Sequence, residues 1–217
     1  MCGITGFWSF SDQLSGHSLD RIVLEMAHQL KSRGPDSHGV WVENDTKIAF
    51  GHRRLAIVDL SEAGHQPMIS ASGRFVITYN GEVYNAPDLR ENLLAKGYSF
   101  RGTSDTEVIL AACEAYGIKE ATQQLIGMFA FAIWDVKDHK LHLIRDRLGV
   151  KPLYWGFNQE TLFFGSQVKS FSPHPLWRPE INRDILSNYF RFSYIPGPSS
   201  IYKGIQKLSP GCMVTIE

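Results

Sequence analysis

Gly127-Met128-Phe129-Ala130-Phe131-Ala132-Ile133-Trp134-Asp135 is the stretch that decides the fold class. Side chains on a strand alternate between its two faces. Residues 128–134 are apolar at every position, so a strand here is apolar on both faces, as when it is sandwiched between two layers. Next to it, Val136-Lys137-Asp138-His139-Lys140 makes a turn into a second strand over 141–145. Residues 152–157 and 161–165 read as a further hairpin, joined by Asn158-Gln159-Glu160.

Upstream, residues 2–10 are apolar and Gly-containing, which predicts a buried strand at the very N-terminus. Over 18–32, Leu19, Ile22, Val23, Met26, Ala27 and Leu30 recur at helical spacing, and Gly34-Pro35 ends the helix. Short strands are predicted over 39–42, 47–50, 55–59 and 74–79, with Gly, Asp and Pro between them. A short helix covers 87–96. Ser104-Asp105-Thr106-Glu107 has capping-box spacing, which puts Asp105 in the first turn of another helix. Strands and helices come in mixed order, without regular strand–helix alternation, so the sequence predicts an α+β fold with largely antiparallel sheets. After Asn182 a short helix leads into Ile195-Pro196-Gly197-Pro198 and Leu208-Ser209-Pro210-Gly211. Residues 1–192 read as the domain and 193–217 as a linker.

Lysine plus arginine balance aspartate plus glutamate at 22 each, which predicts no general pull toward nucleic acid or an anionic membrane. No run approaches the roughly 20 apolar residues of a membrane span, and the start lacks the pattern of a signal peptide. The three cysteines, Cys2, Cys113 and Cys212, are scattered, so neither a disulfide framework nor a zinc site is expected. The eight histidines show no metal spacing, and no glycine-rich phosphate loop occurs. A reducing cytoplasm is the expected compartment.

Several segments carry chemistry beyond packing. Met1 before a small residue is expected to be removed, which leaves Cys2 with a thiol and a free α-amine. Nucleophile and base then sit on one residue, the amine having an unperturbed pKa of about 8. The plain alternative is a small residue after a start codon. Asn80-Gly81 after a strand reads as a hairpin turn. It also offers an amide and a backbone N–H that can converge on one oxygen. Arg53 and Arg54 fall on opposite strand faces, so at most one of them points inward to grip a carboxylate. Asp105 either supports the helix start or holds an ammonium. Arg33-Gly34-Pro35-Asp36 and residues 145–155 read as charged loops to which charge alone assigns no role.

Taken in order, Met1-Cys2-Gly3-Ile4, Arg33-Gly34-Pro35-Asp36, Arg54-Leu55-Ala56-Ile57-Val58, Asn80-Gly81-Glu82 and Ser104-Asp105 resemble the glutamine-hydrolysing domain of class II amidotransferases, a branch of the N-terminal-nucleophile hydrolases. Residues 127–135 and 145–155 are more similar to glutamine-dependent asparagine synthetases than to other members. The resemblance implies a four-layer αββα sandwich of two mainly antiparallel sheets. It implies Cys2 as the nucleophile and Asn80 and Gly81 as the oxyanion donors. It further implies Arg54 on the α-carboxylate of L-glutamine, Asp105 on its α-ammonium, and a pocket lined by Leu55, Ala56, Ile57, Val58 and Glu82. No cofactor and no metal are implied for this domain. ATP and Mg would belong to a synthetase domain in cis, whose S-G-G-x-D-S-type loop this sequence lacks; the chain is therefore expected to stop at a domain boundary. A homodimer is a further partner compatible with the resemblance, whereas nucleic acid and membrane are not expected. The rival readings are an N-terminal-nucleophile amidase acting on another amide and a non-catalytic module of a synthetase.

Overall fold

The computed structural model describes residues 1–56 and 61–217. Its strands are β1 (Gly3–Ser9), β2 (Ser37–Glu43), β3 (Ile48–Arg54), β4 (Met68–Ile69), β5 (Phe75–Val83), β6 (Gly127–Asp135), β7 (Lys140–Arg145), β8 (Tyr154–Asn158), β9 (Thr161–Gly165), β10 (Ile205–Lys207) and β11 (Met213–Ile216). Its helices are α1 (Leu19–His28), α2 (Ala86–Ala95), α3 (Asp105–Tyr116), α4 (Ile118–Gln124) and α5 (Leu186–Phe192). Among the described residues the strands form two antiparallel sheets, ordered β10-β8-β9-β1-β3-β2 and β11-β7-β6-β5-β4. No described helix is long and apolar enough to cross a membrane.

β6 lies at the centre of the second sheet and accounts for the layering. Its Phe129, Phe131 and Ile133 pack with Val108, Ile109 and Leu89 of the helices. Its Ala130, Ala132 and Trp134 face the other way, onto Ile4, Trp8, Phe50 and Phe164 of the first sheet. Phe131 and Trp134 are fully buried, and each side chain of that size withdrawn from water contributes about 1.5–3 kcal/mol. α1 covers the outer face of the first sheet, laying Ile22, Val23 and Met26 on Phe7, Ala49 and Phe163. The order is therefore helix, sheet, sheet, helix, the α+β sandwich anticipated from the sequence.

Local differences have physical causes. α1 starts as expected, with the Ser18 side chain accepting from Arg21 N–H at 3.3 Å, but it ends at His28. Leu30, Lys31 and Arg33 instead donate to the carbonyls three residues back, so the last stretch tightens into turns. Asn80-Gly81 is not a hairpin turn: it lies inside β5, opposite Ala130 and Phe129. Gly81 is there for proximity, since a Cβ on it would stand 2.4 Å from Met128 O and 2.7 Å from Phe129 Cα. Arg53 and Arg54 end β3, and Leu55 and Ala56, expected to begin a strand, follow it as irregular backbone. The rest of the strand expected over 55–59 lies outside the described residues. The stretch expected as a linker supplies an edge strand to each sheet: β10 pairs with β8, and β11 with β7. Pro210 and Gly211 mark the turn between those two short strands.

Candidate active site

Cys2 immediately precedes the fully buried β1, so the strand fixes where its thiol stands. The thiol lies against the end of β3, with Leu55 N–H donating to Cys2 Sγ at 3.4 Å and the thiol 3.6 Å from Leu55 O. Arg33, from the turns after α1, donates Nε–H to Cys2 O at 3.0 Å. Burial pulls the Arg33 guanidinium below its ordinary pKa, and the nearby Cys2 charge opposes that shift. Arg53 turns inward and donates Nε–H to Gly34 O at 2.8 Å, and Asp36 Oδ2 accepts from Ala56 N–H at 2.9 Å. The Arg33–Asp36 loop thus braces the segment from Arg54 to Ala56. Arg54, on the opposite face from Arg53, lines the cleft beside Cys2, and its Nη1–H donates to Ser61 O at 3.0 Å.

The other wall is β5. Tyr84 N–H donates to Ile126 O on the β6 side at 2.7 Å, and alternation turns the N–H groups of Tyr79, Gly81 and Val83 to the opposite edge. There Tyr79 N–H donates to Gln66 Oε1 at 2.7 Å, and Val83 N–H to Asp105 Oδ2 at 3.0 Å. The Gly81 N–H between them faces the cleft, which Gly81 helps to line. The Asn80 side chain points between the sheets. It is 1% exposed, and its Nδ2 has no hydrogen-bond partner among the described residues. An unpaired buried amide costs about 1–3 kcal/mol, so its retention beside a thiol calls for an explanation.

Asp105 is the first residue of α3, whose N-cap Ser104 accepts from Thr106 N–H at 3.1 Å. Glu107 does not close the expected capping box; it accepts from Arg101 and Gly102 N–H at 2.9 and 3.1 Å and pins the preceding loop. Asp105 Oδ2 also accepts from Tyr79 OH at 2.6 Å. Burial pushes the Asp105 carboxyl up, while the bonds from Tyr79 and Val83 pull against it. The Tyr79 phenol is raised well above its usual value, by burial and then by the Asp105 charge. Deeper between the sheets, His52 Nδ1 lies 3.2 Å from Thr78 Oγ1. Burial, then the neighbouring His65, Arg54 and Arg53, push His52 down to about 3, so it stays neutral.

One cleft therefore gathers Cys2, Arg54, Leu55, Ala56, Asn80, Gly81, Glu82 and Asp105. Ile57 and Val58, also expected in the pocket, lie outside the described residues. The cleft further contains Gln66, Tyr79, Met128 and Lys151, which the sequence did not single out. For Tyr79 the signal was its place beside Asn80; for Lys151 there was only a lysine in a charged loop.

The fold and the cleft together are two antiparallel sheets covered by helices, with a cysteine ahead of the first strand at the cleft between them. In agreement, a solved structure titled as the allosteric regulatory enzyme of purine biosynthesis superposes on 99% of this chain and 47% of its own, with a TM-score of 0.70 at 21% identity. The profile of the family described as "Glutamine amidotransferase domain" matches residues 1–217, and the chain belongs to that family. Its relatives include two glutamine-hydrolysing asparagine synthetases of Bacillus subtilis (strain 168). Number 3 is 41% identical over 100% of this chain and 35% of its own length. Number 1 is 38% identical over 100% of this chain and 34% of its own. The chain thus spans about a third of the length of these relatives.

Proposed function

We propose that this domain hydrolyses L-glutamine to L-glutamate and ammonia, with the roles divided as follows. The Cys2 thiol attacks the side-chain amide carbon. The Cys2 α-amine, free once Met1 is removed, takes the thiol proton and delivers it to the leaving nitrogen. The carbonyl oxygen becomes an oxyanion that accepts from Asn80 Nδ2 and Gly81 N–H. Ammonia departs to leave a thioester, and water hydrolyses the thioester to glutamate and restores the thiol. Glutamine is a zwitterion, so its recognition needs a cation and an anion at fixed separation. Arg54 takes the α-carboxylate and Asp105 the α-ammonium, while Leu55, Ala56, Ile57, Val58 and Glu82 complete the pocket.

What carries the proposal is Asn80. A buried amide with an unpartnered N–H, on the strand facing the thiol, is a donor set aside for charge that develops only during reaction. Ammonia is useful to an amidation only if it stays unprotonated, and the buried apolar residues of β6 and Leu143 and Ile144 of β7 are the candidate walls for its exit. The relatives support an ATP-dependent synthetase domain in cis as the consumer, with aspartate or another carboxylate as the acceptor. ATP and Mg would act there, and this domain would need no cofactor. A reducing cytoplasm would keep the Cys2 thiol available for attack. The test is ammonia release from glutamine by protein whose intact mass shows Met1 removed. Cys2→Ala should abolish it, and activity persisting in Cys2→Ala would sink the mechanism.

A further inference from the structure

Lys151 lines the same cleft and has no part in the scheme above. It is 5% exposed, although lysine is almost never buried unless paired. Among the described residues no carboxylate lies within ion-pair distance of its ammonium. Among the described residues its one side-chain hydrogen bond is to Met1 Sδ, at 3.2 Å, and a thioether is a weak acceptor. The burial is nevertheless built in. Asp146, itself buried, accepts from the N–H groups of Phe129, Leu148, Val150 and Lys151, at 3.2, 3.1, 2.9 and 3.0 Å. Arg145 Nε–H donates to Lys151 O at 2.7 Å. The loop after β7 is locked so that it delivers an unpaired cation to the nucleophile's end of the cleft.

The residue this ammonium touches is the one the proposed mechanism requires to be removed, and the peptide nitrogen joining it to Cys2 would then be the α-amine. We infer that Lys151 is a positioning residue that holds the Cys2 α-amine in its neutral, basic form. A nearby cation disfavours protonation of an amine, so the base works at a lower pH than it otherwise would. Several other charged groups face this end of the cleft. Arg33 after α1 and Arg54 at the end of β3 push in the same direction as Lys151. Glu82 on β5 and Asp105 on α3 push the other way, the latter tied to Tyr79 and Val83. Asp146 is occupied by its N–H donors, and Arg145 by the carbonyls of Gly149, Lys151 and Leu208.

The inference rests on the Cys2 amine being the base, and it is tested by the pH profile of glutaminase kcat/KM in the Met1-processed protein. In Lys151→Met the acid limb should move up by about one pH unit, with about tenfold less activity below its midpoint and little change well above it. Lys151→Arg should keep the original limb. Lys151→Gln, which retains a polar side chain, should shift as Lys151→Met does, and it serves if the methionine variant fails to fold. A limb that stays in place in the neutral variant overturns the inference, even if the rate falls uniformly. An active Cys2→Ala would overturn the proposed mechanism as well, whereas an inactive Cys2→Ala with an unmoved limb would overturn only the role of Lys151.

Discussion

The two edges of β5 belong to the same nine residues and are finished in opposite ways. On one edge, β6 pairs with the strand from Phe75 to Val83 without a break. On the other, β4 pairs with only Val76 and Ile77. Beyond that point the backbone is completed by side chains: Gln66 at Tyr79, Asp105 at Val83, and the open cleft at Gly81. A fully paired edge has no donor to spare, and its value is stability. A strand edge that loses its partner midway exposes N–H groups at fixed positions, and here they line the wall opposite the thiol. Substitutions on the open edge should therefore cost activity with little stability, and those on the paired edge the reverse.

The largest effect is expected beside the open edge, at Asn80, whose side chain points between the sheets into the cleft, so Asn80→Ala tests whether that wall serves activity rather than stability. Loss of one oxyanion donor is expected to lower kcat by about a hundredfold to a thousandfold. Folding stability should stay within about 1 kcal/mol of the parent, because removal of an unpaired buried amide offsets the small cavity left behind. Urea unfolding beside steady-state kinetics checks both. A large stability loss accompanying the activity loss would make Asn80 a packing residue.

The same contrast explains what could be read in advance. The two-faced apolar pattern of residues 128–134 was enough to predict a strand between layers, because burial on both faces depends on local composition. Alternation alone showed that Arg53 and Arg54 part to opposite faces; the structure turns Arg53 onto Gly34 O and leaves Arg54, the arginine the resemblance put on the carboxylate, at the cleft. Asn80-Gly81 misled as a turn because Asn-Gly signals positive φ, whereas Gly81 is needed for the close approach of β6. The bond between Tyr79 and Asp105 spans 26 positions, and no local rule pairs them. Lys151 looked like any loop lysine because charge in a sequence does not reveal burial. β10 and β11 have 3 and 4 residues, too few for a period to stand out among prolines and glycines.

Tyr79→Phe sharpens the comparison at the next level. It removes the 2.6 Å hydrogen bond to Asp105 Oδ2 and leaves the packing of the ring. That bond is one of the interactions holding the Asp105 carboxyl down against the upward push of burial. Without it the carboxyl rises further, and a protonated Asp105 cannot pair with an ammonium. The glutamine KM should increase by about tenfold, the worth of one hydrogen bond to a charged group, with kcat changed little. Affinity is present where Asp105 is ionised and is lost as pH falls through its raised pKa, so the loss should begin at a higher pH in Tyr79→Phe. An unchanged KM across that pH range would remove Asp105 from substrate binding.

The smallest effects belong to the paired edge. Arg74 enters β5 and donates through Nε and Nη2 to Asp135 at the end of β6, and also to Asp138 in the following turn. Asp135 is 5% exposed at the side chain and also accepts from the N–H groups of Lys137 and Asp138. Burial alone would raise its carboxyl, but Arg74 and those N–H groups outweigh burial and hold it below the usual value. A depressed carboxylate contributes stability that is complete above the unfolded pKa of about 3.9 and is lost as pH falls through the folded value. Asp135→Asn should therefore cost about 2 kcal/mol at neutral pH and flatten the acid side of the stability curve. Asp138 is 45% exposed, and its pair with Arg74 is screened, so Asp138→Ala should cost under about 1 kcal/mol. Glutaminase kcat should be unchanged in both. A fall in kcat without a fall in stability would mean that the paired edge reaches the chemistry directly, and the division between the two edges of β5 would not hold.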